Sequence, residues 1–256
     1  MRFDVITLFP ELFASFLTSG VTRRAYESGL VNVKLWNPRD FADGNYRRVD
    51  DRPFGGGPGM VMLAEPLALC LAAISVERVS ACYPVVLFSP IGAALNHAAV
   101  ERWSASQGAV LICGRYEGID QRFIDKHVTH QISLGDFVLS GGEIVAMALL
   151  DAVARLQPGV LNDEGSHQLD SFNPALDGLL DCPHYTRPEA WQDQTVPAVL
   201  ISGNHAHIER WRRDERLRLT QKNRPELVEK ARAGGQLDAT DEACLAALAG
   251  NSGLKQ

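Results

Sequence analysis

The sequence has no Cys-x-x-Cys pair. Its five cysteines, Cys70, Cys82, Cys113, Cys182 and Cys244, are widely spaced and odd in number. That pattern suits neither a zinc site nor a disulfide framework, and it implies reduced thiols in a cytosol. No apolar run reaches membrane-spanning length. The opening MRFDVITLFPELF lacks the charged, apolar and small-residue regions of a signal peptide. A cytoplasmic chain with no membrane contact is therefore expected. Basic charge is not in excess, because the formal net charge is −6. This argues against a protein coated in nucleic acid, although a local basic face remains open. Internal repeats and low-complexity tracts are absent too.

Phosphate-binding motifs are also missing, even where glycine is dense. The stretch DDRPFGGGPGM (Asp50–Met60) holds four glycines and two prolines. A P-loop ends in Gly-Lys-Ser/Thr, whereas Met60 follows Gly59 here. The dinucleotide fingerprint needs glycines at offsets zero, two and five, and this loop has no such trio. Its prolines also remove N–H groups that a phosphate cradle would use. A nucleotide hydrolase is thus a poor reading, and the loop needs another explanation.

What is present fits an ordinary globular chain. Of 256 residues, 46% are hydrophobic and 22% charged, enough for one large domain or two smaller ones. FDVITLF (Phe3–Phe9) reads as a buried strand, and Pro10 suits the start of the helix PELFASFL. VTRRAYES reads as a helix stopped by Gly29, and VNVKLW (Val31–Trp36) as a strand. After the glycine loop, EPLALCLAAISV reads as a helix. Three strand–helix units follow. YPVVLFSP runs into LNHAAVERWSAS, AVLICG into IDQRFIDKHV, and THQISL through GDFVLSGG into EIVAMALLDAVARL. Such alternation predicts an α/β fold, with a largely parallel sheet and helices on both faces. Ligands of such sheets bind at the carboxyl ends of the strands. That places Ser89–Gly92, Gly114–Gly118 and Ser133–Gly142 on one rim.

Past Val160 the character changes. Residues 161–174 are polar and turn-rich and suit a linker between a domain over 1–160 and a small, mainly helical domain over 175–256. Residues 209–232 carry nine Lys/Arg against five Asp/Glu, an excess of four positive charges in a chain of net −6. The contrast points to an RNA-facing surface, with a solvated helix face as the plainer alternative.

Individual residues leave alternatives open. Three glycine-bearing loops on one rim suggest a ligand held by main chain. Arg115 beside Glu117 reads either as a surface ion pair or as a polar clamp. Arg155, near the end of an apolar helix, reads most simply as a C-terminal charge, and Asp170 as a helix cap. Cys182 and His184 raise a thiol dyad, but prolines flank them and no orienting third group is evident.

Eight segments then occur in order: TLFPELF, NPRDF, VDDRPFGGGPGMV, CGRYEGID, GDFVLSGGE, DSF, GLLDCPHYTRPE and ISGNHAHIERWR. Together they closely resemble the bacterial tRNA (guanine-N1-)-methyltransferase family of the SPOUT class, over nearly the whole chain. The resemblance implies methyl transfer from S-adenosylmethionine to N1 of guanosine 37 of tRNA, where the preceding nucleotide is also guanosine. It implies a deep trefoil knot around the cofactor, a feature chain rules make rare. It further implies an obligate homodimer with shared active sites, and magnesium dependence.

Residue by residue, the resemblance assigns cofactor contacts to Phe88, Ser89 and Pro90, to Gly114, Arg115, Tyr116, Glu117 and Gly118, and to Ile132, Ser133, Gly135, Leu139, Gly141 and Gly142. Asp170 matches the general base and Arg155 its partner. Asp50 and Arg52 are implied tRNA or active-site contacts, and Glu117 an aid to the metal ion. The chain departs from the family pattern at Val145, where proline is common, and in SPIG, where SPQG is common. It departs again at Leu169, where an acid is common. None of these removes an implied catalytic residue. Rival readings are a SPOUT enzyme acting on another RNA base and a non-catalytic RNA-binding protein that kept the fold.

Overall fold

The computed structural model describes residues 1–78, 82–162 and 165–252. It divides into two compact units, Met1–Asn162 and Asp163–Gln256.

The first unit is built on five parallel strands: β1 (Arg2–Ile6), β2 (Asn32–Trp36), β5 (Val85–Ala94), β6 (Val110–Ile112) and β7 (His130–Ser133). Their order across the sheet is β2-β1-β6-β5-β7. A two-stranded ribbon, β3 (Asp50–Asp51) with β4 (Val61–Met62), is separate from it. The intervening helices are α1 (Leu12–Thr18), α2 (Arg23–Glu27), α3 (Ala64–Glu77), α4 (His97–Ser104), α5 (Gln121–His127) and α6 (Glu143–Arg155).

The sheet is buried on both faces because its strands are apolar at odd and even positions alike. Phe3, Val5, Val86, Phe88 and Leu111 point into one core, which α6 completes with Val145, Ala146, Leu149, Leu150 and Val153. Ile6, Val85, Leu87, Val110 and Ile112 point into the other, against Leu67, Cys70, Leu71 and Ile74 of α3 and Phe123 of α5. Asp4 is fully buried on the second face and is satisfied there. Arg2 and Arg78 pair with its carboxylate and Trp36 Nε1–H donates to it at 2.8 Å. Burial alone would raise its pKa, but those hydrogen bonds outweigh burial and hold it low.

Helix ends follow local chemistry. Asn96 and Asp120 accept from the Ala99 and Arg122 N–H groups and cap α4 and α5. Gly29, at φ +74°, closes the turn after α2.

The second unit holds the short helix α7 (Gly165–Gln168), a ribbon of β8 (Ala190–Trp191) with β9 (Gln194–Thr195), and three longer helices. These are α8 (His205–Asn223), α9 (Pro225–Ala233) and α10 (Ala239–Ser252). Its core is small: Leu179, Leu217, Val228, Ala231 and Leu245. Among the described residues, no helix is long and apolar enough to cross a membrane.

Candidate active site

β5 departs from a simple strand. Ile132 of β7 is in register with Phe88 and again with Ala93, so Ser89–Gly92 form an irregularity between two pairings. SPIG was expected as a loop after the strand; it is instead an insertion within it. At Gly92 a Cβ would come within 2.4 Å of the Ile132 backbone nitrogen, so only glycine fits there.

This insertion, the segment after β6 and the segment after β7 wall a cavity of about 380 Å³. All fourteen residues that the resemblance assigns to the cofactor line it, together with Ile91 and Val145 from two of the departures. The second and third walls are stitched together by main chain. Gly142 N–H donates to Gly114 O at 3.1 Å, and Arg115 and Gly141 form an antiparallel bridge. A Cβ on Gly142 would stand 2.8 Å from Cys113 Cα.

The glycine-rich loop lies behind the second wall. Glu117 N–H donates to Met60 O at 3.0 Å, and Met62 N–H donates to Gly118 O at 2.9 Å. A Cβ on Gly59 would lie 2.4 Å from Glu117 Oε1, so the loop comes against the wall where it has no side chain. Gly55, Gly56 and Gly57 serve a different need. They have φ of +85°, +77° and +117° with open space around them, so backbone freedom is what the turn uses.

Arg115 does not pair with Glu117, its neighbour in sequence. Tyr116 between them has φ +60°, Glu117 faces solvent, and Arg115 turns inward to Glu143. Its Nε donates to Glu143 Oε1 at 3.1 Å, and Nη2 stands 3.0 Å from Oε2 in an ionic contact that lacks hydrogen-bond alignment. Glu143 is only 1% exposed and also accepts from Thr7 Oγ1–H at 2.8 Å. The guanidinium stacks over Phe9, 4.4 Å from the ring centroid, and Nη1 donates to Ser140 O. Gly141 makes room for this arrangement, since a Cβ there would fall 2.2 Å from Arg115 Nε. Sequence reading passed over Glu143 and Thr7. An acid in a first helical turn ordinarily signals only the helix dipole, and nothing in the spacing ties it to Thr7.

Arg155 ends α6 in the first unit, and Asp170 follows α7 in the second. Both are half-buried and neither lines the cavity. Within the second unit, the Asp170 segment is bonded to the DCPHYTRPE motif. Phe172 N–H donates to Leu179 O at 2.9 Å, and Asp181 N–H donates to Ser171 Oγ at 2.9 Å. The Asp181 carboxylate accepts from Cys182 N–H and Arg216 Nε and bonds His184 Nε2 at 2.9 Å. Burial would raise its pKa, but these bonds hold it low. His184 is thus engaged by a carboxylate, and burial pushes the Cys182 thiol up, so the two make no activated dyad. The Cys70 thiol is likewise pushed up to about 12, chiefly by burial.

The basic stretch over 209–232 is less free than its charge suggests. Arg213 pairs with Asp177 and Asp241, Arg210 with Asp214 and Asp241, and Arg216 with Asp181. Arg212, Arg218 and Arg224 hold only exposed or half-exposed acids: Glu209, Glu215 and Glu226. Such surface pairs are worth about 0–1 kcal/mol, so phosphates can displace them. Among the described residues, no three His, Cys, Asp or Glu side chains converge to hold a metal ion.

Comparison with known proteins agrees with the motif order. The family model described as tRNA (Guanine-1)-methyltransferase TrmD matches residues 1–230. The chain is 79% identical over 251 residues to a tRNA (guanine-N(1)-)-methyltransferase of Polaromonas sp. (strain JS666 / ATCC BAA-500), covering 97% of each. It is 72% identical to the Paracidovorax citrulli protein of that name, covering 98% of this chain and 99% of the relative. The Bordetella pertussis protein of that name is 56% identical, with 98% of each covered. With a match spanning nine-tenths of its length, the chain belongs to the tRNA (guanine-1)-methyltransferase family.

Proposed function

We propose that this protein transfers a methyl group from S-adenosylmethionine to N1 of guanosine 37 in tRNA, where the preceding nucleotide is guanosine. The observation that carries the reading is the cavity walled by the insertion within β5 and the segments after β6 and β7. Its walls combine glycines with apolar side chains such as Phe88, Ile132 and Leu139 and polar ones such as Ser89 and Gln131, a mixed lining that suits a nucleoside-like ligand. When bound, S-adenosylmethionine supplies a methyl group on a positively charged sulfur, an electrophile that needs no further activation.

The chain's task is to make N1 nucleophilic and to align it. N1 of guanine carries a proton. The Asp170 carboxylate takes that proton as the N1–CH3 bond forms, while the electron pair of the breaking S–CH3 bond goes to sulfur. The Arg155 guanidinium stabilises the negative charge that develops toward O6. The products are N1-methylguanosine, a neutral thioether and a protonated Asp170, which returns its proton to solvent. Residues 1–160 serve as the catalytic domain, 161–174 as a linker carrying Asp170, and 175–256 as the tRNA-binding domain. Two copies form a homodimer whose sites join Arg155 and Asp170. The exposed Leu12 of α1 and Ile144 of α6, on helices that touch, support such an apolar interface.

A deep trefoil knot around the cofactor is part of the reading, as the family likeness implies. Magnesium is part of it as well. Glu117, exposed on the cavity wall, is the carboxylate that would help hold an ion of the kind that keeps most of its waters. The reaction takes place in the cytoplasm, where unmodified tRNA is found.

The test is transfer from labelled S-adenosylmethionine to two matched transcripts, with guanosine or adenosine at position 37. Methylation of the guanosine transcript alone is expected. Asp170→Asn should lower turnover about 10²–10⁴-fold while cofactor affinity is kept. Equal methylation of both transcripts overturns the position, and full activity of the variant overturns the base.

A further inference from the structure

Among the described residues, Arg115 is the only Lys or Arg lining the cavity, and it lines it as one half of a pair whose other half is hidden. The buried partner, Glu143, contributes no surface to the space, yet its charge sits directly behind the guanidinium. We infer that Glu143 sets the charge preference of the cavity, allowing it to favour a cationic methyl donor over the neutral thioether left after transfer. The inference rests on the cofactor reading above.

The argument is one of net charge and does not depend on pose. The donor carries a sulfonium, an ammonium and a carboxylate, so its net charge is one unit positive. The thioether product keeps the ammonium and carboxylate and is neutral. An uncompensated guanidinium in the wall would repel the first and leave the second almost untouched. Glu143 cancels that repulsion. Because it is 1% exposed, its field is not screened by solvent, unlike that of the exposed Glu117. Thr7 orients the carboxylate through its 2.8 Å hydrogen bond, and Gly141 leaves the guanidinium room to lie against it. Product that binds less tightly than donor leaves sooner, so the same pair favours turnover.

Calorimetric titration of the full chain with S-adenosylmethionine and with S-adenosylhomocysteine tests this. The quantity read is the ratio of the two affinities. Glu143→Gln should lower the preference for the donor about tenfold, the effect of one unit charge a short distance away in a half-buried site. Ser140 is exposed and its Oγ is 3.4 Å from Arg115 Nη1, so an acid there can restore the lost charge. Glu143→Gln with Ser140→Asp should therefore return the ratio toward that of the parent, and Thr7→Val should leave it unchanged. Equal weakening of both ligands by Glu143→Gln assigns the residue a purely structural role and overturns the inference. If that variant does not fold, Ser140→Asp alone decides. It must raise the preference for the donor, and an unmoved ratio overturns the inference. Failure of the parent protein to bind either ligand would instead remove the cofactor reading on which the inference stands.

Discussion

The two units solve the problem of precise placement by opposite means. The first places its cavity walls with glycine: at Gly92 and Gly142, backbone meets backbone where a Cβ could not fit, and at Gly141 it meets the Arg115 side chain held against Glu143. The second has a core of five buried apolar residues and ties its helices with guanidinium–carboxylate pairs, chiefly Arg210 and Arg213 on Asp241 and Arg216 on Asp181. Steric fit is insensitive to salt and intolerant of even one added carbon. Ion pairs tolerate volume changes and respond to pH, and those at the surface can exchange partners. A cavity for a small ligand suits the first solution. The second leaves its exposed arginines in contacts of little worth.

The sharpest way to break this contrast is Gly92→Ala. The added carbon meets backbone atoms of Gln131 and Ile132 that cannot move aside, so a loss of about 3 kcal/mol confined to the first unit is expected. Hydrogen exchange followed by mass spectrometry, which resolves the units, would read it. Asp241→Asn should act on the other side. Removing a buried partner typically costs about 3–5 kcal/mol. Here each guanidinium keeps a second carboxylate, Asp214 or Asp177, so a loss of about 2 kcal/mol in the second unit alone is expected. Cofactor titration should be unchanged in this variant.

Acid should test the second unit's ion pairs more gently. Burial would raise the Asp241 pKa, but Arg213 and Arg210 outweigh it, so the folded value lies below the ordinary one, as it does for Asp181. A carboxyl depressed on folding contributes stability above its unfolded pKa and loses it as pH falls through the lower folded value. The second unit should therefore keep its protection down to about pH 4 and lose it progressively below, and Asp241→Asn should flatten that loss. The smallest effect belongs to Gly56→Ala. Its φ is +77° but its surroundings are open, so about 1 kcal/mol of backbone strain is the whole cost. A loss as large as that of Gly92→Ala would mean that the glycine loop is packed and not merely turned.

Much of the first unit was legible in the sequence because its signals are local. Continuous apolar runs such as VVLF and VLI can be buried only in a two-sided sheet, and Gly29 marks its turn by type. The three rim segments followed from the same alternation, and the cavity joins all three. What was illegible is whatever depends on two distant segments meeting. No periodicity announces that β7 pairs with β5 twice, that Arg115 passes over Glu117 for a residue 28 positions on, or that Gly59 faces a carboxylate. Asp170 and Arg155 are a different case. Alone they read as a cap and a helix-end charge, and only the family pattern singles them out. The basic stretch read correctly as an excess of charge but not as occupied charge, because its acids are contributed partly by Asp177, Asp181 and Asp241 outside it.

The hydrogen bond between Thr7 and Glu143 also sets a schedule. Its partners are 136 residues apart. A ribosome adds roughly 5–20 residues each second, so Thr7 waits on the order of ten seconds for its buried partner. During that time Phe3 and Val5 have no α6 to cover them. A nascent chain stalled short of Glu143 would have strands but no finished cavity, and its exposed apolar face would be a natural client for chaperones. The completion of the ligand site is thus a late event in the first unit's synthesis.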